Sequence, residues 1–166
     1  MLTRNGLRAL VLLCVVSTCA LAQTAGDLAT TLSVSRIVTA ADGTESRQPA
    51  TSAKPGDVLE YVAEYHNTTT HVIRQLAATI PIPDGTEYIP STALPAGLLA
   101  SRDGTSFAPV PLTKKVIQAN GRLVDEPIPY SEYRFLRWPS QDLGAGKSLQ
   151  VGVRAKLTNA PATAAH

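Results

Sequence analysis

The chain has 166 residues, of which 44% are hydrophobic and 17% are charged. These values fit one globular domain and exclude a disordered chain, because domains typically span roughly 100–150 residues and disordered segments are poor in apolar residues. The net charge of +2 comes from Arg4 and Arg8, and the remainder of the chain is neutral. Neutrality argues against nucleic acid or an anionic membrane surface as a partner, since both attract basic faces.

The first 22 residues have the three parts of a secretory signal peptide. Arg4 and Arg8 form its basic start, and an apolar run extends from Leu7 to Val16. That run is about half the roughly 20 apolar residues that a transmembrane helix needs. The small residues at 20–22 then provide a cleavage site. We therefore predict a signal peptide over residues 1–22, cleavage before Gln23, and a periplasmic or extracellular location.

Both cysteines, Cys14 and Cys19, lie within the predicted signal peptide. The cleaved chain therefore has no disulfide, no cysteine-bound metal and no thiol nucleophile. Lipidation of Cys19 is an alternative to simple cleavage, with Thr18 standing where bacterial lipoboxes prefer Gly or Ala. An exported domain without disulfides depends on its apolar core, and a chain of this length is long enough to bury one.

After the signal peptide, apolar and polar residues alternate with a period of two, which is the pattern of half-buried β-strands. A first strand with one mostly polar face is predicted around Leu32 and Val34. Residues 40–56 are rich in Gly, Pro, Ser and Thr and predict a long turn region. The clearest strand runs from Asp57 to His66, and its predicted inward residues are Leu59, Tyr61, Ala63 and Tyr65.

The rest of the chain continues as short strands separated by turns. An alternating run from Leu76 to Ile82 predicts a strand that lies at a sheet edge or ends at its prolines. An aromatic strand is predicted from Tyr133 to Trp138, and a final strand from Leu149 to Leu157. The turn dipeptides between these strands are Asp84-Gly85, Asp103-Gly104 and Asn120-Gly121.

The predicted fold class is all-β. About seven to nine short strands at spacings of about 8–12 residues indicate an immunoglobulin-like antiparallel β-sandwich, with a small closed barrel as the alternative. We predict one such domain over residues 23–158. Residues 159–166 are small and Ala-rich, which predicts a flexible tail.

Three stretches of the chain resemble the DUF-11 repeat, a bacterial domain of unknown function found in exported and surface proteins. Residues 54–61, Lys-Pro-Gly-Asp-Val-Leu-Glu-Tyr, with Asn67 shortly after, are similar to its opening. Residues 82–86, Ile-Pro-Asp-Gly-Thr, resemble its next step, and Trp138 followed by Gly146 resembles its close. The resemblance covers residues 28–158 and implies an immunoglobulin-like fold.

The residues that carry this resemblance are predicted to be structural. Gly56 and Asp57 turn the chain into a strand, where Gly tolerates a positive φ. The aromatic residues fill the core and keep a polar tip for a hydrogen bond, and Asn67 caps the turn after its strand. The predicted core and turn residues are Gly56, Asp57, Tyr61, Tyr65, Asn67, Pro83, Gly85, Trp138 and Gly146.

Candidate catalytic or metal-binding groups are few. Glu64 and His66 share one strand face and His71 follows across a turn, a set that we interpret as exposed polar residues rather than metal ligands. The segment 101–107 resembles an Asp-box hairpin, which is itself a structural turn. Nucleophilic catalysis needs a hydroxyl beside a base, and the sequence has no G-x-S-x-G motif. We predict no catalytic residue, no metal and no cofactor.

These observations predict an exported, non-catalytic module with a structural or protein-interaction role at the bacterial cell envelope. Its expected partner is another envelope protein, reached for example through an edge strand, and we expect neither nucleic-acid binding nor a transmembrane segment after cleavage. The alternative is a small carbohydrate-binding or hydrolytic secreted protein. That function needs exposed aromatic rings, and Tyr88 and Tyr130 are the two aromatic residues without a predicted core position.

Overall fold

The structure is a computed structural model that describes residues 26–158. The predicted signal peptide and the predicted tail lie outside the described residues. Two 3-10 turns, Ala50–Ser52 and Tyr130–Glu132, interrupt an otherwise all-β chain. Its strands are β1 (Leu28–Thr39), β2 (Glu45–Pro49), β3 (Val58–Asn67), β4 (Ile73–Leu76), β5 (Thr79–Pro81), β6 (Thr86–Tyr88), β7 (Leu99–Ser101), β8 (Ala108–Pro109), β9 (Thr113–Ile117), β10 (Leu123–Pro127), β11 (Phe135–Arg137), β12 (Gln141–Leu143) and β13 (Ser148–Leu157).

The strands form antiparallel sheets, of which two are large. One has five strands in the order β2-β1-β3-β13-β6, and the other has four in the order β5-β11-β7-β8. Two smaller pairs, β9 with β10 and β4 with β12, complete the described fold. The five-stranded sheet is built on β3, which pairs with β1 along one edge and with β13 along the other.

Both large sheets contribute to one apolar core. Every second side chain is buried on β3 and on β13 from Val151 to Leu157, as the period of two predicts. Ile80, Ala100 and Leu136 of the four-stranded sheet are completely buried in the same cluster. The buried residues of β3 and β13 are Leu59, Tyr61, Ala63, Tyr65, Val151, Val153, Ala155 and Leu157, together with Asn67 and Gly152.

The described chain has thirteen strands, more than the predicted seven to nine. Two of the additional strands have no alternating pattern long enough to predict them. β2 lies inside the predicted turn region 40–56, and β6 has only three residues. The alternating run from Leu76 to Ile82 is also divided, because Leu76 ends β4 and Ile80 lies in β5 of another sheet. These segments form strands because they pair with a neighbouring strand, and not because their own sequences alternate.

The aromatic segment differs in part from its prediction. Its strand is limited to Phe135–Arg137, and Tyr133 directly follows a 3-10 turn. Leu136 and Trp138 are buried, as expected for inward positions, but Tyr133 is also completely buried. Within residues 26–158, no helix has the length and apolar content needed to cross a bilayer.

Candidate functional site

A groove of about 810 Å³ lies on the outward face of the five-stranded sheet. Its floor consists of side chains from β1, β3 and β13 that point away from the core. Glu60 of β3 faces Arg154 of β13, and Val62 faces Gly152 in the same ladder. Ser33 and Ser35 of β1 lie opposite Val62 and Glu60 and extend the floor.

The segment 91–94 forms one wall of this groove. Leu94 and Gly152 exchange two backbone hydrogen bonds, of 2.8 and 2.7 Å, which attach the segment to β13. The hydroxyl of Thr92 accepts the N–H of Arg154 at 3.0 Å. The Leu94 side chain is 71% exposed at the rim. The wall is therefore bound to the sheet while its apolar rim faces solvent.

Four charged side chains form an ion-pair chain beside the groove, and three of them, Arg47, Glu60 and Arg154, line it. Arg47 Nε donates to Glu60 Oε2 at 2.5 Å, and Arg154 Nε donates to Glu60 Oε1 at 3.3 Å. The terminal nitrogens of Arg154 donate to both oxygens of Glu45, at 2.9 and 2.7 Å. This bidentate geometry is the strong form of an arginine–carboxylate pair. Since Glu45 and Arg47 lie on β2, the ion-pair chain connects this edge strand to β3 and β13.

The ion pairs keep these groups charged. The hydrogen bond from Arg47 lowers the pKa of Glu60, against the opposing effect of burial. The hydrogen bond from Arg154 lowers the pKa of Glu45 and raises the pKa of Arg154 in return. A general acid or base works best with a pKa near the operating pH. Carboxylates with lowered pKa values, each held by arginine, are suited to structural pairing rather than to proton transfer.

The Asp-box-like segment 101–107 forms a closed turn. Asp103 Oδ1 accepts the N–H groups of Thr105 and Ser106, both at 2.8 Å, and the hydroxyl of Ser101 at 2.9 Å. These bonds, led by the one from Ser106, hold the pKa of Asp103 far below its usual range. Every strong contact of this carboxylate stabilises the turn that follows β7.

Tyr88 and Tyr130 are not free, in contrast to the prediction. Tyr88 is 3% exposed and stacks on Tyr133, with ring centroids 6.2 Å apart. Tyr130 meets both rings edge-on, at 5.9 and 5.3 Å. The prediction failed because β6 and the 3-10 turn before β11, which bring these rings together, have no alternating pattern of their own.

The predicted turn residues lie in turns of the structure. Gly56 has a φ of 98°, a value that L side chains rarely adopt, and its N–H donates to Leu157 O at 2.7 Å. Asp57 Oδ2 accepts the N–H of Lys54 at 2.9 Å, which lowers the pKa of Asp57. The turns at the other strand ends contain Pro83, Gly85 and Gly146.

The aromatic residues predicted to fill the core are buried, namely Tyr61, Tyr65 and Trp138. Asn67, predicted to cap the turn after its strand, is buried as well. The hydroxyl of Tyr65 donates to Thr79 O and accepts the N–H of Thr79, both at 2.9 Å. The indole N–H of Trp138 donates to Pro95 O at 2.6 Å. Tyr65 and Trp138 therefore fill core volume and also link their segments to other parts of the chain, while Tyr61 fills core volume.

The possible metal ligands Glu64, His66 and His71 do not converge. His66 contacts the hydroxyl of Ser148 at 3.0 Å, and the three side chains are exposed. Among residues 26–158, no group of three or more His, Cys, Asp or Glu side chains is arranged to hold a metal ion.

The sequence predicts no functional site and does not single out Arg47 or Arg154. Alternation places Glu60 on the outward face of β3, and the same count places Arg154 outward on β13. The sequence contains no signal for β2, which supplies the other half of the ion-pair chain. Comparison of the chain with protein-family models, curated proteins and solved structures finds no match.

Proposed function

We propose that this protein is an exported, non-catalytic β-sandwich module of immunoglobulin-like type, with a structural or protein-interaction role at the bacterial cell envelope. The proposal includes the resemblance to the DUF-11 repeat and the cleaved signal peptide. Two antiparallel sheets that share one apolar core support the sandwich assignment. The basic start and the short apolar run of the leader support export.

The observation that carries the proposal is the ion-pair chain at the groove. Acid–base catalysis uses convergent ionisable groups with pKa values matched to proton transfer. Here Glu45, Arg47, Glu60 and Arg154 pair with one another, and their pKa shifts favour the charged forms. The charges at the groove are thus paired with one another, and an exposed apolar residue, Leu94, lies at its rim.

The aromatic residues argue against the carbohydrate-binding alternative. Sugar platforms need exposed rings, and all eight aromatic side chains of the sequence lie within residues 26–158, where each is buried or only partly exposed. The large hydrophobic side chains that are exposed in this range are leucine, valine and isoleucine. Aliphatic side chains provide contact area for a protein partner but no stacking surface for a sugar ring.

A pair of matched variants tests the non-catalytic role. Glu60→Gln removes the central carboxylate of the ion-pair chain, and Glu64→Gln changes an exposed carboxylate four residues further along the same face of β3. Glu60→Gln is expected to cost about 1–3 kcal/mol of unfolding free energy, because two arginines lose a charged acceptor, while Glu64→Gln leaves stability unchanged. Ester, phosphate and glycoside hydrolysis should be absent from both variants and from wild type. A wild-type activity that disappears in a well-folded Glu60→Gln variant overturns the proposal.

Export and interaction have separate tests. Mass spectrometry of the exported protein should give a species that begins at Gln23, and a species that begins at lipidated Cys19 would contradict it. A photo-crosslinking residue at Leu94 should give a discrete adduct with an envelope protein. The same residue at Leu123, which is exposed on the β9–β10 hairpin, is the control. Equal adducts from both positions argue against a specific role of the groove.

A further inference from the structure

The N-terminal half of β1 has an open backbone edge. β1 pairs with β3 from Leu28 to Ile37, but β2 covers its other edge only from Ser35 to Thr39. Within residues 26–158, no strand pairs with that edge along residues 28–34. We call residues 28–34 the open edge. Its sequence, Leu-Ala-Thr-Thr-Leu-Ser-Val, has neither charge nor proline, and every residue after Leu28 is exposed.

The backbone groups of the open edge have a defined direction. The N–H of Ala40 donates to Thr44 O beside β2, whereas Asp27 O accepts the N–H of Thr68 beside β3. Antiparallel strands direct alternate residues to alternate sides. Even-numbered residues of β1 therefore point their N–H and C=O groups toward the β2 side. In the open edge these residues are Leu28, Thr30, Leu32 and Val34.

Two of these residues, Leu32 and Val34, have apolar side chains that form an exposed row. Leu32 faces Ala63 and Val34 faces Tyr61 in the ladder with β3, so their side chains project on the core-facing side of the sheet. Leu32 is nevertheless 45% exposed and Val34 36% exposed. The inner face of the sheet thus extends beyond the core here, and both its backbone edge and its apolar face are available.

β2, the strand that covers the rest of this side of β1, is protected. β2 is short, carries Glu45 and Arg47, and ends at Pro49. Charge, short length and proline are the devices by which proteins prevent edge-to-edge pairing. The open edge has none of them over seven consecutive residues, and such an edge is a template for another strand.

We propose that the open edge pairs antiparallel with the open edge of a second copy of this chain, about a two-fold axis through Thr30. Thr30 then faces Thr30 of the second copy, and Leu28 faces Leu32 in both directions. The pairing joins two five-stranded sheets into one. It goes beyond the proposed function, since it depends on the backbone edge and not on export or on the groove.

Steric space and side-chain chemistry select this register. An axis through Thr31 would place Asp27 opposite Ser35 of the second copy, a position that Pro49 of that copy already occupies. An axis through Thr30 pairs residues 26–34 of the two copies with one another, and β2 leaves this stretch uncovered. No like charges oppose each other, and Thr–Thr and apolar cross-strand pairs are favourable. A seven-residue edge provides less than the roughly 800 Å² per partner of a standard interface, so we expect a Kd in the micromolar range.

Sedimentation of the full chain tests the dimer. Wild type should show a concentration-dependent monomer–dimer equilibrium. Thr30→Pro removes one N–H that points to the second copy and leaves the ladder with β3 intact, so it should weaken dimerisation at least tenfold. Thr30→Ser retains that N–H and should behave as wild type. Leu32→Lys introduces a charge into the apolar row and should also abolish the dimer, whereas Ser46→Lys on β2 should not.

Cysteine cross-linking tests the register, in a chain that also carries Cys14→Ser and Cys19→Ser. In the proposed pairing the two Thr30 Cα atoms lie about 5.5 Å apart, within the range that a disulfide spans. Thr30→Cys should give a covalent dimer on mild oxidation. Thr31→Cys should not, because it faces Ala29 and the two Thr31 Cα atoms lie more than about 7 Å apart.

A wild-type chain that remains monomeric at about 1 mM overturns the proposal. Equal cross-linking at Thr30 and Thr31, or a dimer that survives both Thr30→Pro and Leu32→Lys, overturns the assigned edge. These outcomes are independent of the groove, because Glu60→Gln leaves the open edge intact and should dimerise like wild type.

Discussion

The side-chain amide of Asn67 donates to the carbonyl oxygen of Leu143 at 2.9 Å, across 76 positions of sequence. The same nitrogen lies 2.8 Å from His71 O and 3.0 Å from Gly144 O. Asn67 Oδ1 accepts the N–H of Thr69 at 3.0 Å. Asn67 is completely buried. It therefore does more than cap the turn after its strand, because it joins the ends of β3 and β12.

Asn67→Asp should destabilise the fold by about 2–4 kcal/mol at neutral pH, because a buried carboxylate replaces the donor in front of three carbonyl oxygens. The introduced carboxyl favours its protonated form when folded, so its folded pKa lies above the unfolded value of about 3.9. The deficit should shrink as pH falls toward that value. Urea unfolding at neutral and acidic pH measures this change. Asn120→Asp, at an exposed turn where the side chain only accepts a bond, is the control, and an equal loss there contradicts the assignment.

Trp138→Ala should cost about 3–5 kcal/mol, a large share of the roughly 5–15 kcal/mol available to a domain. The side chain is 2% exposed, and its N–H holds Pro95 O. Trp138→Phe retains much of the apolar volume but leaves that carbonyl without its donor, so its melting temperature should lie between those of wild type and Trp138→Ala. Melting of Trp138→Ala at the wild-type temperature would place the residue outside the core.

Tyr133→Phe should cost about 1–3 kcal/mol, because the buried N–H of Leu112 loses the hydroxyl that accepts it at 2.6 Å. The ring stays in place, so contacts with Tyr88 and Tyr130 are retained. Tyr130→Phe is the matched control in the same cluster and should have a smaller effect. Chemical denaturation of the two variants provides the comparison, and the reverse order would show that the hydroxyl of Tyr133 is not important for stability.

Asp103 should contribute to stability at neutral pH and lose that contribution in acid. The N–H groups of Ser106 and Thr105 lower the pKa of Asp103 in the folded state below the ordinary 3.8. A lowered folded pKa stabilises the fold above the unfolded pKa, and the contribution is lost as pH falls through the folded value. Asp103→Asn keeps an acceptor oxygen and removes the charge. The gap in melting temperature between wild type and this variant should narrow as pH falls below about 4, and a gap that widens contradicts this account.

Several features of the fold follow from the sequence because they depend on short-range pattern. Strict alternation over Asp57–His66 and Leu149–Leu157 predicts β3 and β13, and burial of every second side chain in both follows from it. The turn at Gly56 and the burial of Trp138 could also be predicted from the short-range sequence pattern. A positive φ favours glycine, and the only tryptophan lies next to Pro139 at the end of an alternating run.

The groove, the tyrosine cluster and the open edge become visible only in the tertiary structure. Glu60 and Arg154 lie 94 positions apart, and their contact depends on the register between β3 and β13. The sequence of β2 gives no strand signal, because an edge strand that is exposed throughout has no apolar face to reveal it. Local pattern determines which side chains turn inward along one strand. The pairing of strands depends on packing between segments that are distant in sequence. The ion-pair chain and the open edge both result from this pairing.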